Sequence, residues 1–217
     1  MNDTAKRSAF AKLKELFLGE GLLGGISLLA RFLYCRIYSL RLKNCGSLLI
    51  RGKFSIRGGN FISIGSLQAG SRILIEAVER YHGQQFQPEL SIGKRVFFSN
   101  DIHIGCTHRV ILGDGVMLGS HVYITDHDHG TYGGDEPHSH PDTPPAERPL
   151  TTSGTVIIEE NVHIGEYVTI LKNVRIGRGS IIGAHSNVVH DVPAYSIAVG
   201  NPARPIKTFH GDTQLWI

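Results

Sequence analysis

The feature that most constrains the fold of this chain is a repeat of six residues near its C-terminus. From residue 158 the sequence reads "IEENVH IGEYVT ILKNVR IGRGSI IGAHSN VVHDVP", which is six hexapeptides without a slip. An aliphatic residue opens each one: Ile158, Ile164, Ile170, Ile176, Ile182 and Val188. A period of six fits neither an amphipathic helix, with a period of about 3.6, nor a plain strand, with a period of about two. It predicts a coil with three short faces, whose aliphatic side chains point inward.

The same pattern extends upstream in pieces. The sequence from residue 92 reads "IGKRVF FSNDIH IGCTHR", then shifts by two residues and continues as "LGDGVM LGSHVY I". An earlier stretch, "ISIGSLQAGSRILI", is a degraded version of the repeat. We therefore expect a solenoid over residues 46–207, preceded by a different segment over residues 1–45 and followed by a tail over residues 208–217. An ordinary sandwich of short strands would not keep a strict six-residue register.

These motifs resemble the hexapeptide-repeat acyltransferases. The resemblance covers residues 90–207 and rests on the repeated pattern [LIV]-G-x-x-[VS]-x and on the tail "HDVPAYSIAVGNPARPIK". It is strongest to the bacterial enzymes that O-acetylate surface polysaccharides. It implies an all-β solenoid, a left-handed parallel β-helix, that forms homotrimers with sites between subunits.

One long loop interrupts the repeat. The register stops at Ile124 and resumes at Ile158, so residues 125–157 are predicted to leave the coil, with five of the nine prolines among them. A loop of this length in a compact domain usually has a function. Its opening, "TDHDHG", lies where the family has its catalytic histidine.

The resemblance implies that His127 is the general base, with His129 as the second choice. Neutral imidazole is suited to taking a proton from a hydroxyl, because its ordinary pKa lies near neutrality. A carboxylate beside the ring can fix its tautomer, and Asp126 and Asp128 are the candidates, with a backbone carbonyl as the alternative.

Acetyl-CoA is the implied co-substrate, and the family binds it in a groove between adjacent subunits. The basic side chains of Arg204 and Lys207 suit its phosphates. Glu166 stands where the family usually has a small residue. The positions that match the family's coenzyme A contacts are Gly165, Glu166, Gly183, Ala184, Val189, His190, Arg204 and Lys207.

The expected acceptor is a sugar hydroxyl of a bacterial surface polysaccharide or of its lipid-linked precursor. Candidate acceptor contacts are Ser99, Asn100 and Asp101 in "FFSND", and Tyr132, whose ring could stack on a sugar. A small acceptor remains an alternative: an antibiotic, or a free or nucleotide-linked sugar. A β-helix scaffold without catalysis is the non-enzymatic alternative.

A zinc enzyme similar to the gamma-class carbonic anhydrases is a further alternative. It would use His127, His163, His185 and His190. We expect no metal, because His185 and His190 occupy different faces of the predicted coil, whereas catalytic zinc needs three convergent ligands.

The N-terminal segment differs in character from the solenoid. Residues 1–43 contain eight Lys and Arg against three acidic residues, and Leu13, Leu16 and Phe17 follow helical spacing. The apolar stretch 22–34 has thirteen residues, too few to span a bilayer. We expect residues 6–43 to form helices that contact a membrane surface or pack on the body or a neighbouring subunit.

Composition narrows the partners and the compartment. The net charge of +3 is too small to indicate nucleic-acid binding, and none is expected. The three cysteines form no C-x-x-C pair, which favours a reducing compartment. We expect a cytoplasmic protein with peripheral contact at the inner face of the plasma membrane.

Overall fold

The computed structural model describes residues 24–135, 137–151 and 154–217. Residues 24–38 are helical, and a short 3-10 helix, Ser39–Arg41, follows. The predicted helical spacing of Leu13, Leu16 and Phe17 lies outside the described residues. None of the helices in the described ranges is long and apolar enough to cross a membrane.

Short β-strands fill the rest of the chain, with two further 3-10 turns at Gly59–Phe61 and Pro145–Glu147. In chain order the strands are β1 (Asn44–Ile50), β2 (Phe54–Arg57), β3 (Ile62–Ala69), β4 (Ile73–Ala77), β5 (Arg80–Tyr81), β6 (Gln84–Gln85), β7 (Glu89–Ile92), β8 (Val96–Phe98), β9 (Ile102–Cys106), β10 (Arg109–Leu112), β11 (Met117–Leu118), β12 (Tyr123–Thr125), β13 (Thr155–Ile158), β14 (His163–Ile164), β15 (Thr169–Ile170), β16 (Val174–Ile176), β17 (Ile181–Ile182), β18 (Asn187–Val188), β19 (Ser196–Gly200), β20 (Ala203–His210) and β21 (Leu215–Trp216).

The strands stack in three parallel columns, which we call faces A, B and C. Face A contains the first half of β3, then β7, β10, β13 and β16. Face B contains the second half of β3, then β8, β11, β14, β17 and β19. Face C contains β2, β4, β9, β12, β15 and β18. The chain visits A, B and C in turn and returns to A, so it winds as a coil. The predicted parallel β structure with an N-terminal helix is confirmed.

The six-residue register is the register of the core. The aliphatic residue that opens each hexapeptide is completely buried from Ile158 to Val188. The fifth residue of each hexapeptide also points inward, and the polar Ser180 and Ser186 at this position are buried as well. Because full burial of one such aliphatic side chain contributes about 1.5–3 kcal/mol, a core residue every six positions stabilises each turn of the coil.

Both ends of the coil are covered. At the N-terminal end, the helix packs on the first turn, where the Tyr38 hydroxyl donates to the Ile56 carbonyl over 2.7 Å. Cys35 of the same helix is fully buried, and the Ile50 N–H donates to its sulfur over 3.4 Å. At the other end, β20 pairs antiparallel with β19 and β21 pairs with β20.

Two segments leave the coil where face C ends and face A begins, an edge that we call the C/A corner. The first is residues 78–88, which contain the hairpin β5–β6 that the sequence analysis did not predict. The second is residues 126–154, shorter at both ends than the predicted loop. Thr125 still belongs to β12, where it pairs with Gly105, and Thr155 already pairs with Arg109.

Candidate active site

His127 lies at the root of the long loop, directly after β12 reaches the C/A corner. Its side chain is 12% exposed, and its Nδ1 lies 2.9 Å from Oδ1 of Asp126. The neighbouring carboxylate, Asp128, instead contacts Nζ of Lys172 at 2.6 Å. Of the two carboxylates that the sequence analysis offered as partners of the base, Asp126 is therefore the one in contact with His127.

Asp126 is completely buried, and a run of backbone amides holds its carboxylate. It accepts hydrogen bonds from the N–H groups of Thr107 at 2.9 Å, His108 at 2.8 Å and Arg109 at 2.8 Å. The Thr107 hydroxyl donates a further hydrogen bond over 3.0 Å. Successive N–H groups that converge in this way form a cradle for an anion.

The cradle keeps the carboxylate charged. Burial alone would raise the pKa of Asp126, but the hydrogen bonds from His127 and from the backbone of Thr107 and His108 outweigh it and lower the pKa. A charged carboxylate can only accept, so His127 donates its Nδ1–H to it. In the neutral imidazole, Nε2 is then an unprotonated acceptor.

The cradle comes from the two-residue shift in the repeat. Consecutive inward aliphatic residues are six apart in the regular coil, but Ile104 and Leu112 are eight apart. The two additional residues fall in the segment 105–109, which contains the three amides that bind Asp126. The shift is visible in the sequence, but the roles of Thr107, His108 and Arg109 could not be predicted from it.

Gly105 makes room for the imidazole. A Cβ atom at this position would lie 3.1 Å from Cε1 and 3.9 Å from Nε2 of His127. Gly105 of β9 pairs with Thr125 of β12, so the ring lies over the backbone of the preceding turn. A side chain here would push the ring out of place.

Cys106 lies beside the same carboxylate but is not a nucleophile. Its thiol is fully buried and contacts the Glu89 carbonyl at 3.5 Å. Burial, together with the negative charge of Asp126, raises the pKa of this thiol far above its usual range. A protonated, inaccessible thiol forms no covalent intermediate.

His129 lies across from His127, with 6.5 Å between the ring centroids. Its Nδ1 is 3.2 Å from the hydroxyl of Tyr81, which belongs to the hairpin β5–β6. The long loop and the hairpin therefore meet at His129. The sequence contained no signal for this contact, because the two residues are 48 positions apart.

Tyr132 is held within the loop. Its hydroxyl donates to the His129 carbonyl and accepts a hydrogen bond from Nη1 of Arg148 at 2.8 Å. The Arg148 guanidinium also lies 6.0 Å from the centroid of its ring. The ring remains 55% exposed, and its polar contacts fix the backbone next to His129.

The predicted acceptor residues Ser99, Asn100 and Asp101 lie at the B/C corner, where face B ends and face C begins. The Ser99 hydroxyl contacts that of Ser120 at 2.8 Å, and Asn100 Oδ1 accepts the Ser71 N–H at 2.8 Å. Asp101 pairs with Arg72. Face C separates this corner from the C/A corner by about 13 Å for four residue steps, so one chain does not bring these residues to His127.

The predicted coenzyme A residues fall on two edges. Gly165 and Glu166 stack on Gly183 and Ala184 at the B/C corner, where His185 N donates to the Glu166 carbonyl over 2.8 Å. Arg204 and Lys207 lie nearby on β20, opposite Val199 and Ile197 of β19. Val189 and His190 lie beyond β18, at the C/A corner.

The histidines of the zinc alternative stay apart. His163 faces outward from β14 on face B, His185 lies at the B/C corner, and His127 and His190 lie at the C/A corner. Within residues 24–135, 137–151 and 154–217, no group of three or more His, Cys, Asp or Glu side chains could hold a metal ion.

Comparison with known proteins identifies the family. Residues 155–190 match the model of the bacterial transferase hexapeptide, six repeats. WbbJ of Escherichia coli K12, named provisionally as a lipopolysaccharide biosynthesis O-acetyl transferase, is 32% identical over 204 residues, which cover 90% of this chain and 94% of WbbJ. The chain belongs to the hexapeptide-repeat transferase family. The predicted family and the predicted acetyltransferase class are therefore confirmed.

Solved structures show the same fold. A single-residue variant of AntD, an N-acyltransferase from Bacillus cereus in complex with dTDP and coenzyme A, has a TM-score of 0.61 at 23% identity, over 82% of this chain and 90% of AntD. The hexapeptide-repeat acetyltransferase VCA0836 of Vibrio cholerae, complexed with acetyl-CoA, has a TM-score of 0.51 at 20% identity, over 82% of this chain and 78% of VCA0836.

The first prediction from this site concerns Asp126. The variant Asp126→Asn places an amide NH2 against backbone donors, and we expect the free energy of unfolding at neutral pH to fall by about 1–3 kcal/mol. Since the folded-state pKa is lowered, the stabilisation is fully present above about pH 4 and is lost as the pH falls through that lowered value. Urea unfolding of both proteins at neutral and acidic pH measures this.

The matched control is Asp142→Asn, because the side chain of Asp142 is 91% exposed. It should leave the free energy of unfolding unchanged at either pH. A difference between the wild type and Asp126→Asn that stays constant down to about pH 3 would contradict the assigned role of the carboxylate.

The second prediction concerns Gly105. In Gly105→Ala the new Cβ must displace the His127 ring by a few tenths of an ångström, and we expect kcat for acetyl transfer to fall by about tenfold. The KM for the acyl donor should change little. Gly133→Ala is the control, because a Cβ at Gly133 meets nothing within 4 Å. Equal kcat values for the two variants would show that the position of the ring does not depend on Gly105.

Proposed function

We propose that the protein is an acetyl-CoA-dependent O-acetyltransferase that acetylates a sugar hydroxyl of a bacterial surface polysaccharide or of its lipid-linked precursor. The observation that supports this most directly is the pair formed by His127 and the buried, charged Asp126 at the root of the loop. The similarity to WbbJ over nearly the whole chain supports the class of acceptor. A left-handed winding of the coil is part of this proposal and rests on the family.

The proposed reaction is a direct transfer. Nε2 of His127 takes the proton of the sugar hydroxyl while the hydroxyl oxygen bonds to the carbonyl carbon of the thioester. The carbon–sulfur bond then breaks, and the leaving thiolate receives the proton from Nε2. The products are an acetyl ester and free coenzyme A. Asp126 holds the ring by Nδ1 and stabilises the imidazolium that forms between the two steps.

The donor is proposed to lie along the edge that contains the stacked corners of Gly165 and Gly183. A Cβ atom at Gly165 would lie 2.7 Å from the nitrogen of Ala184, so the backbones of the two turns are in close contact there. Arg204 and Lys207 on β20 would pair with the phosphates. Glu166, Val189 and His190 are retained as proposed contacts from the family resemblance.

The proposed assembly is a homotrimer with sites between subunits. Within one chain, His127 and most of the proposed donor residues lie at opposite edges of face C. A neighbouring chain that brings its own B/C corner to His127 would complete the site, with Ser99, Asn100, Asp101 and Tyr132 as proposed acceptor contacts. Phe97 and Met117, which are each 43% exposed on face B, are suited to a subunit contact.

The N-terminal helix is proposed to contact the inner face of the plasma membrane from the cytoplasm. A stripe of apolar side chains at spacings of three and four residues is exposed on it: Ile26, Leu29, Leu33 and Ile37. Exposed Arg36, Arg41 and Lys43 flank the stripe and would attract anionic lipid. This location would place the enzyme beside a lipid-linked acceptor.

The proposed function predicts acceptor-dependent release of thiol from acetyl-CoA. We would offer p-nitrophenyl hexopyranosides and nucleotide-linked sugars, with EDTA present. His127→Ala should lower kcat by about 10²–10⁴-fold, because it removes the base. His138→Ala, at an exposed position of the same loop, is the control and should retain full activity.

Other outcomes point to the alternatives. Full activity of His127→Ala would contradict the assignment of the base. Turnover of nucleotide-linked sugars alone would favour a small acceptor, and loss of activity with EDTA would favour the zinc enzyme. No release with any acceptor, without binding of coenzyme A, would favour the non-enzymatic scaffold.

The proposed membrane contact predicts co-flotation with vesicles of phosphatidylglycerol and phosphatidylcholine. The double variant Leu33→Asp, Ile37→Asp, at positions 54% and 69% exposed, should abolish it. Ile206→Asp, at a position 59% exposed on β20, is the control and should float like the wild type.

The oligomeric state is measured separately, and sedimentation velocity should show trimers for the wild type and for both variants. Dissociation of the double variant would instead place the stripe in a subunit contact, and a monomeric wild type would contradict the proposed assembly.

A further inference from the structure

The hydrogen bonds of Tyr81 fix the tautomer of His129. The Tyr81 hydroxyl lies 2.7 Å from the carbonyl of Ala146, and a carbonyl only accepts, so the single hydroxyl hydrogen is directed there. The same oxygen lies 3.2 Å from Nδ1 of His129 and must therefore accept from it. The proton of neutral His129 is on Nδ1, and its Nε2 is an unprotonated acceptor.

His127 is in the same state for a different reason, since its Nδ1–H donates to Asp126. The site thus contains two imidazoles, each with Nε2 as a bare acceptor. Their centroids are 6.5 Å apart and their planes are inclined by 59°. Among the described residues, no group donates a hydrogen bond to either Nε2.

Two unprotonated Nε2 atoms in one site can accept two hydrogen bonds from a substrate. One hydroxyl has one hydrogen and can satisfy only one of the two nitrogens. Two neighbouring hydroxyl groups on a sugar ring, each with a hydrogen bond of about 2.8 Å, can reach both of two rings whose centroids lie 6.5 Å apart.

We propose that Nε2 of His129 accepts a hydrogen bond from the hydroxyl adjacent to the one that is acetylated, so that the acceptor is a sugar with a vicinal diol. This inference rests on the proposed O-acetyltransferase function and deepens it. His129 is then a substrate-binding residue and not a second base. Tyr81 is a positioning residue that acts through His129.

Contacts on both sides of His129 make it a fixed subsite although it lies in a loop. Its backbone forms an antiparallel bridge with Leu150, and the side chain of Gln84 binds Leu150 twice, donating to O over 3.1 Å and accepting from N over 2.7 Å. Tyr132 donates to the His129 carbonyl. A subsite held in this way discriminates between acceptors, because its hydrogen bond is made only when the second hydroxyl is present.

The test starts from a p-nitrophenyl hexopyranoside that the enzyme acetylates, and NMR of the product identifies the acetylated carbon. This acceptor is compared with its deoxy analogues, each of which lacks one hydroxyl next to that carbon. In the wild type, kcat/KM should fall by about 10–100-fold for one of these analogues. His129→Asn keeps a polar atom near Nδ1 for Tyr81 but has none near Nε2. For this variant, kcat/KM for the deoxy analogue should be less than about threefold below kcat/KM for the full acceptor, and we call this ratio the deoxy penalty.

His129→Gln is the matched variant, because its amide oxygen can reach the position of Nε2. It should restore a large part of the penalty for the deoxy analogue, which a merely structural role of His129 would not predict. Tyr81→Phe should lower the penalty partly, because Nδ1 loses its acceptor and the tautomer is no longer fixed.

An equal penalty in the wild type and in His129→Asn overturns the inference, as does rapid acetylation of a sugar that has no hydroxyl next to the acetylated one. In both cases acetyl transfer itself continues, so the proposed function stands. If no acceptor of any kind is acetylated, the proposed function fails first and the diol subsite fails with it.

Discussion

A completely buried aliphatic side chain must recur every six residues along the coil, and both the fold and the position of the site follow from this requirement. Each such residue fills the interior between three faces, and each turn of the coil is hydrogen-bonded only to the turns before and after it. Within the six hexapeptides of residues 158–193, the buried polar side chains are the small ones of Ser180 and Ser186. Chemistry is therefore restricted to the corners and to the segments that leave the coil.

The site forms where this constraint is relaxed twice, in adjacent turns. A two-residue addition at 105–109 frees three backbone amides, and the departure of the chain after Thr125 brings Asp126 to them. Asp126 is buried but charged, and it accepts a hydrogen bond from Nδ1 of His127. Gly105 has no side chain and therefore leaves room for the imidazole ring. A mobile loop would not provide this, since Gly105 belongs to the coil and Asp126 is held by backbone amides of the coil.

The hairpin β5–β6 and the long loop leave from the same corner and support each other. Tyr81 and Gln84 of the hairpin bind His129, Ala146 and Leu150 of the loop. This arrangement places groups that are not part of the repeat around His129, whose ring centroid lies 6.5 Å from that of His127. In a solenoid the turns are alike, so the insertions give this corner its individual shape.

The sequence alone was enough to predict the repeat, the inward residues, the N-terminal helix and the root of the loop as a candidate place for a general base. These follow from local patterns, because each face of the coil must bury its own hexapeptide. Asp126 was one of two candidate partners, and the sequence could not choose between them.

Only the tertiary structure decided which groups meet at the site. The cradle of Thr107, His108 and Arg109, and the contact of Tyr81 with His129, join residues 17–19 and 48 positions apart. The stacking of turns and the path of the inserted segments create such contacts, and no periodicity reports them. The predicted acceptor and coenzyme A contacts are divided between the B/C corner and the C/A corner for the same reason. A three-faced coil places these corners too far apart for one chain to join them.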